Sequence, residues 1–344
     1  MNGSITSDQS DGGILADQSD ASIPTGSEED QPEGGLGFVI ILQITCYVLI
    51  SILGTIGNCL FLFAMVTTPQ LHNPCMGLIA NLCITDLLSC IVASPLAIRN
   101  NVVSHSYASY PLCKMGHVLT GTFAGVSILT LTVLACNRYV VIVRPHSGYR
   151  KYCQMKLVVI YSLLMWVTIL PLVVMPIITG SVEFKFKYGC YYSADEYNWM
   201  RRTIILAAYV VLPGFILVPL LYVLMLFTVR ASANRVMPVD LSTATESSTT
   251  TPSRAVSRQR RKRQFPSRQD LRLYKMPMVV LIVYSLCWAP YVIIHIIDGF
   301  TPVSENAQRF ANICVVSNSA INPYVYALSN KAIHKAYSKI LTRS

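Results

Sequence analysis

Phe38-Val-Ile-Ile-Leu-Gln-Ile-Thr-Cys-Tyr-Val-Leu-Ile-Ser-Ile-Leu-Gly-Thr-Ile-Gly-Asn-Cys-Leu-Phe-Leu-Phe-Ala-Met-Val66 contains no Asp, Glu, Lys or Arg, and lies inside a charge-free interval running from Gly34 to Thr85. A helix needs about 20 apolar residues to cross hydrocarbon. The interval therefore holds a first span near Phe38–Val66 and most of a second near Met76–Ile98, with the breaker pair Asn73-Pro74 at the bend between them. Further runs without charge occupy Met115–Asn137, Leu157–Val182, Thr203–Val229, Met276–Ile297 and Phe310–Asn330. They are too long, and alternate too little, for the strands of a membrane barrel, so the expected fold is an all-α bundle of seven transmembrane helices.

Composition agrees. Over the 344 residues 53% are hydrophobic and 13% charged, where soluble domains carry roughly a quarter charged residues. Residues 1–37 hold eight acids and no Lys or Arg, and are expected to form a disordered acidic tail ahead of a 38–328 membrane domain. The net charge of +10 does not imply nucleic acid, because the basic residues follow topology. With the N-terminus outside, 20 of the 27 Lys and Arg fall on inner loops and the tail, which favours N-out, C-in. Discounting the long third inner loop still leaves nine against seven. No cleavable leader is expected, and the first span would serve as the signal anchor. Asn2-Gly3-Ser4 is a glycosylation acceptor consistent with an outer tail.

The third inner loop, 231–274, contains a Ser/Thr run over Leu241–Ser253 and the basic stretch Arg258–Arg263, and is expected to be disordered. Its cations suit either attraction to anionic inner-leaflet lipid or a specific partner. Beyond the last span, residues 329–344 place Ile333, Ala336, Tyr337, Ile340 and Leu341 on one face and Lys331, Lys335 and Lys339 on another, an amphipathic helix lying on the inner leaflet. Most of the eleven cysteines lie inside spans as small apolar filler. Cys113 and Cys190 fall instead on the oxidising outer face, where a disulfide would tie the second outer loop to the third helix.

Polar groups inside hydrocarbon are costly and mark candidate sites. Asp86 lies mid-way along the second span, Ser127 in the third, and Asn318, Ser319 and Asn322 in the seventh. Their oxygens suit a hard cation or a water cluster, or else a packing network without an ion. Arg138, in Asn137-Arg138-Tyr139, is placed at the inner end of the third span, where it would either snorkel to lipid phosphate or pair with Asp270 ahead of the sixth. Pro290, beside Trp288 in Cys287-Trp-Ala-Pro290, and Pro323, in Asn322-Pro-Tyr-Val-Tyr326, each remove a helix hydrogen bond and suggest hinges. There is no His-Glu-x-x-His or Gly-x-Ser-x-Gly, so an enzyme is not expected. Repeated halves, which would suggest a transporter, are also lacking in the sequence.

Taken in order, Gly57-Asn58, Leu82 to Asp86, Cys113, Asn137-Arg-Tyr139, Trp166, Tyr222, Cys287-Trp-Ala-Pro290 and Asn322-Pro-Tyr-Val-Tyr326 resemble the rhodopsin-like (class A) G-protein-coupled receptors over roughly Phe38 to Leu341. The resemblance implies a cell-surface receptor that binds an extracellular small molecule and activates heterotrimeric G proteins, with arrestin and receptor kinases as further partners. It implies that Asp86, Ser127, Asn318, Ser319 and Asn322 form an allosteric sodium pocket. Trp288 would be the toggle beneath the ligand, and Arg138, Tyr222 and Tyr326 the inner switch. Asn137 replaces the usual acid, His146 the usual apolar residue after Pro145, and Pro213 falls one residue from its usual distance to Tyr222, so a bulge or a shifted register is expected.

Retinal-binding relatives carry a lysine where this chain has Val316, so no retinal is expected. Amine receptors carry an aspartate where it has Thr120. Leu78–Leu88, Ser127–Arg144 and Asn318–Leu341 are similar to the cluster of medium-chain fatty acid and melatonin receptors. The upper pocket is expected to involve Thr120, Ala124, Trp288, Tyr291, His295 and Asn312, none acidic, with Arg99, Lys114, His117, Arg201 and Arg202 at or near its mouth. An acidic lipid would suit those cations, and a neutral molecule such as an indole amide is the alternative.

Overall fold

In the computed structural model the described residues are 33–102, 110–143, 152–179, 183–185, 191–193, 207–233, 268–298, 300–301 and 303–342. Helix α1 spans Glu33–Thr67 and is followed by the turn Pro69–Leu71. Helix α2 runs from Pro74–Leu88 through a π-helical turn at Ser89–Ala93 into Ser94–Val102. Helix α3 is Tyr110–Val143 and α4 is Met155–Ile178. Helix α5 opens as the π-helical segment Ala207–Leu217 and continues as Val218–Ala233. Then come α6 (Arg268–Ile297), α7 (Glu305–Ser329) and α8 (Lys331–Leu341). Strands β1 (Glu183–Lys185) and β2 (Tyr191–Ser193) pair antiparallel as a small hairpin after α4, a feature the apolar pattern does not announce.

Six of these helices are long and apolar enough to cross a membrane. The most apolar 18-residue window is 61% buried in α2 and 56% in α3 but only 22% and 17% in α1 and α4, so α2 and α3 form the middle of the bundle. The outer helices turn residues such as Phe63, Val66, Leu163 and Val167 outward, as a chain solvated by lipid does. Helix α7 carries Asn306, Gln308, Arg309, Asn312, Asn318 and Asn322 and is not among the six. Its buried face is polar because the polar groups answer one another inside the bundle rather than facing lipid.

Local chemistry sets the helix ends. Asn73 caps α2 by accepting from the Met76 amide at 3.1 Å, and Pro74 begins the helix where its missing N–H costs nothing. Ser304 caps α7, and Asn330, in extended conformation, ends α7 and caps α8 through the Ala332 amide. Pro323 removes the amide that would bond the Ser319 carbonyl. That carbonyl is instead taken by the Asn58 Nδ2 of α1 at 3.0 Å. The approach requires glycine: a Cβ on Gly57 would meet Pro323 at 3.1 Å, and one on Gly54 would meet Cys90 Sγ at 2.3 Å.

Several boundaries differ from the sequence expectation, for one physical reason: helices continue through the interface after charges reappear. Helix α3 starts five residues before Met115 and runs to Val143, so Arg138 lies within the helix and not at its end. Helix α6 starts at Arg268, which places Asp270 in its first turn. Helix α7 starts at Glu305, so Arg309 is a helical residue. Residues 33–37 join α1, while 231–233 and 268–274 extend α5 and α6 into what was expected to be tail and loop. On α8 the expected faces appear, with Ile333, Ala336 and Tyr337 buried and Lys331, Lys335 and Lys339 exposed.

Candidate functional site

Three layers of polar and aromatic groups stack along the bundle. In the middle layer Asp86 is fully buried, and Asn322 Nδ2 donates to its Oδ2 at 2.8 Å. The Ser319 and Ser127 hydroxyls also act on this carboxylate. Asp86 Oδ1, Asn318 Oδ1 and Asn322 Oδ1 are buried acceptors without a hydrogen-bond partner. Buried oxygens without donors cost about 1–3 kcal/mol each, a cost that a proton or a positive charge beside them would offset.

Next to it lies a cavity of about 20 Å³, against the roughly 10–15 Å³ that one water requires. Thr120, Ala124 and Trp288 line it together with Ser89, Ser127, Asn318 and Ser319 and with Val315 and Val316. Residues expected in the ligand pocket and residues expected in the ion pocket thus share one cavity. A ladder of rings runs along α6 past it: Tyr284 to Trp288 at 5.7 Å between centroids, Trp288 to Tyr291 at 5.7 Å, and Tyr291 to His295 at 4.1 Å. These contacts fix the indole from both sides. His117 and Lys114 lie on α3 towards its outer end, both partly buried, and Arg99 sits in the last turn of α2. Asn312 is exposed.

The inner layer centres on Arg138, which is only 7% exposed and therefore does not snorkel to lipid. Its Nη2 donates to Cys75 Sγ, while Nε has no partner. The neighbouring Asn137 Nδ2 donates to Cys153 Sγ at 3.1 Å. Tyr222 and Tyr326 are buried, Tyr139 packs partly on the core, and Tyr326 meets Phe61 edge-on at 5.5 Å. Asp270 belongs to α6, but its side chain lies outside the described residues, as does His146.

Residues 57–326 match the family model described as 7 transmembrane receptor (rhodopsin family). The chain belongs to that family. Similar proteins include "Rhodopsin, GQ-coupled" from Mizuhopecten yessoensis, 27% identical over 87% of this chain and 58% of the other. "Neuropeptide FF receptor 2" from Mus musculus is 22% identical over 87% of this chain and 72% of the other. "Somatostatin receptor type 4" from Rattus norvegicus is 25% identical over 92% and 77%. The chain spans a little over half of the first of these, 58%.

Within this rhodopsin-family receptor the Asn137 departure acquires a structural counterpart. The position that usually carries an acid holds an amide bonded to one thiol, and Arg138 is held by another. Neither Cys75 nor Cys153 stands out by composition or motif; their positions beside Pro74 and ahead of α4 were the available signal. Also unforeseen is a link of α2, α3 and α4, in which Asn81 Nδ2 donates to Thr130 Oγ1 at 2.8 Å and Thr130 Oγ1 reaches Met165 Sδ at 3.3 Å. The bulge expected near Pro213 corresponds to the π-helical segment Ala207–Leu217, which contains that proline.

At the outer face Cys113 is buried and disulfide-bonded, and the nine other described cysteines are free. Cys190, Arg201, Arg202 and Asn2 lie outside the described residues. Non-reducing peptide mapping of the purified protein is expected to recover the peptides of Cys113 and Cys190 as one species. Recovery of either as a free thiol would refute that pairing.

Proposed function

We propose that the chain is a plasma-membrane receptor, N-terminus outside and C-terminus inside, that binds an acidic amphiphile and activates heterotrimeric G proteins, with arrestin and receptor kinases as later partners. The observation that carries this reading is the shared cavity: Trp288, from the floor of the outer pocket, and Ser127, Asn318 and Ser319, from the buried acid cluster, line the same space. A ligand that shifts Trp288 therefore alters the cluster around Asp86. Through α7 the same cluster leads from Asn322 to Tyr326 and, across the bundle, to Arg138. Opening of the inner end would release the guanidinium from Cys75 to meet the G protein.

The oxygen set fits a sodium ion. Asp86, Ser127, Asn318, Ser319 and Asn322 would hold it, and the three acceptors without partners supply the lone pairs a hard cation needs. Bound there, it supplies positive charge that offsets the buried carboxylate. These residues otherwise pack α2, α3 and α7 together, and a filled cluster favours the closed arrangement.

The ligand class rests on charge. Thr120, Ala124, Tyr291 and Asn312 offer no acid, Val316 offers no amine for a retinal Schiff base, and Arg99 and Lys114 place cations towards the outer ends of their helices. The kinship to medium-chain fatty acid receptors belongs to the same proposal, while two of the relatives named above are peptide receptors. Cells expressing the full chain, with sensors for each G-protein class, are expected to respond to decanoate at least about tenfold more potently than to 1-decanol or decylamine, the difference of one charge-assisted hydrogen bond. Greatest potency for decylamine, for an indole amide or for a peptide would replace the acidic-amphiphile reading.

A further inference from the structure

The amide that stands in place of the usual acid and the arginine beside it share one kind of partner, a thiol. Asn137 Nδ2 donates to Cys153 Sγ at 3.1 Å, and Arg138 Nη2 donates to Cys75 Sγ. Two consecutive residues of α3 thereby gather one sulfur from each neighbouring segment, Cys75 being the second residue of α2 and Cys153 lying two residues ahead of α4. The thiols are close enough to act on each other electrostatically, and Arg138 acts on both. Both are free cysteines and both are buried, at 6% and 4% exposed.

This setting differs from that of a cysteine packed among hydrocarbon. Arg138 puts a cation against the Cys75 sulfur, where it offsets the negative charge of an attacking thiolate. Its Nε, also buried, has no partner, so the guanidinium is not saturated there. Cys75 follows Pro74 in the first turn of α2 and Cys153 lies in no helix, so both can adjust towards disulfide geometry without unwinding a helix. Tyr152 and Gln154, on either side of Cys153, are exposed, so this thiol lies one layer beneath the surface.

We propose that Cys75 and Cys153 are a redox modification site at the inner end of the bundle, oxidised by hydrogen peroxide to a disulfide that takes both sulfurs away from Asn137 and Arg138. The Cys75 sulfur attacks one peroxide oxygen and the O–O bond breaks, which leaves a sulfenic acid while the other oxygen departs as water. The Cys153 sulfur then attacks that of Cys75. The S–O bond breaks, the S–S bond forms, and the hydroxyl leaves with the Cys153 proton as a second water. The dithiol is oxidised by two electrons and the peroxide is reduced by the same two. A reducing cytosol keeps the pair as thiols at rest, and disulfides that form on that side of a membrane serve as sensors rather than staples. Drawn into a common bond, the sulfurs leave the places from which they hold Asn137 and Arg138, so the closed arrangement loses two hydrogen bonds. That consequence rests on the reading of Arg138 as the inner switch, whereas the site itself does not.

The test uses the full chain in lipid nanodiscs, treated with hydrogen peroxide, blocked with N-ethylmaleimide and mapped without reduction. The expected result is one linked species carrying the peptides of Cys75 and Cys153, absent before peroxide and lost again in dithiothreitol. GTPγS binding by a panel of added heterotrimeric G proteins, without agonist, is expected to rise about threefold or more with peroxide, the loss of one ordinary hydrogen bond from the closed arrangement. Cys75→Ser and Cys153→Ser, each of which leaves one thiol without the other, are expected to lose that rise. The mapping needs only the parent, so it stands if a serine variant does not fold. Recovery of both thiols as maleimide adducts after peroxide would overturn the site, as would a rise that persists in both serine variants. A linked pair with exchange unmoved would overturn the inner-switch reading and leave the dithiol site in place.

Discussion

Arg138→Ala is expected to abolish agonist-driven nucleotide exchange while leaving receptor at the cell surface. The guanidinium is buried within α3, ahead of its last turn, and held by Cys75 on α2, with one donor, Nε, unsatisfied. An opened inner cavity would expose up to five N–H donors on a single fixed cation, the strongest hydrogen-bonding group on this part of α3. Loss of a buried charge-assisted contact in an interface costs about 2–5 kcal/mol, or roughly 30-fold or more in affinity. The check is GTPγS binding on membranes normalised for surface receptor. Exchange at the parent rate would remove Arg138 from the coupling machinery. Surface delivery is expected to persist because α3 keeps its contacts through Leu131, Leu134 and Ala135 in the core.

Asp86→Asn is the second large effect. The substitution keeps size and shape and can still bond Asn322, but it removes the negative charge that the cavity-lining Ser127 and Ser319 hydroxyls act on. Agonist affinity in the parent is expected to fall as sodium replaces an inert organic cation at constant ionic strength, and in the variant to be indifferent to that exchange. Signalling should change too, because the amide adds a donor among acceptors that the carboxylate leaves without protons. A variant that responds to sodium as the parent does would show that the ion, if it acts, acts elsewhere.

Much of the architecture was legible because membrane burial writes itself in one dimension: the run from Gly34 to Thr85 can be located by charge alone. Single polar residues inside such runs were equally informative, and Asp86, Ser127, Asn318, Ser319 and Asn322 do converge. What charge could not give was where each helix stops. Lys114, Arg309 and Asp270 all looked like the loops beside a span, yet each sits within a helix, because the hydrogen-bonded ladder does not end where hydrocarbon does. Thiol partners were invisible for a different reason. Cys75 and Cys153 lie just outside the expected spans and belong to no motif, and only the approach of Arg138 to Cys75 and of Asn137 to Cys153 distinguishes these two. Gln43 carried a readable hint, as one of two amides with Asn58 in the first apolar run, but its partner Arg309 lies 266 residues away.

The two π-helical stretches, Ser89–Ala93 and Ala207–Leu217, lie in the outer halves of α2 and α5. A wide turn holds one residue more than its neighbours, and one residue is about 100° of rotation. Each stretch therefore absorbs a residue: about five residues in a wide turn rotate as far as four in an ordinary one, so losing one there closes the turn and leaves both halves facing as they did. Length can in this way change in α2 and α5 without turning the Asp86 cluster or Arg138. Position-by-position comparison with a relative that lacks either wide turn would slip by one residue beyond Ser89 or before Leu217 unless the gap is placed in the turn itself.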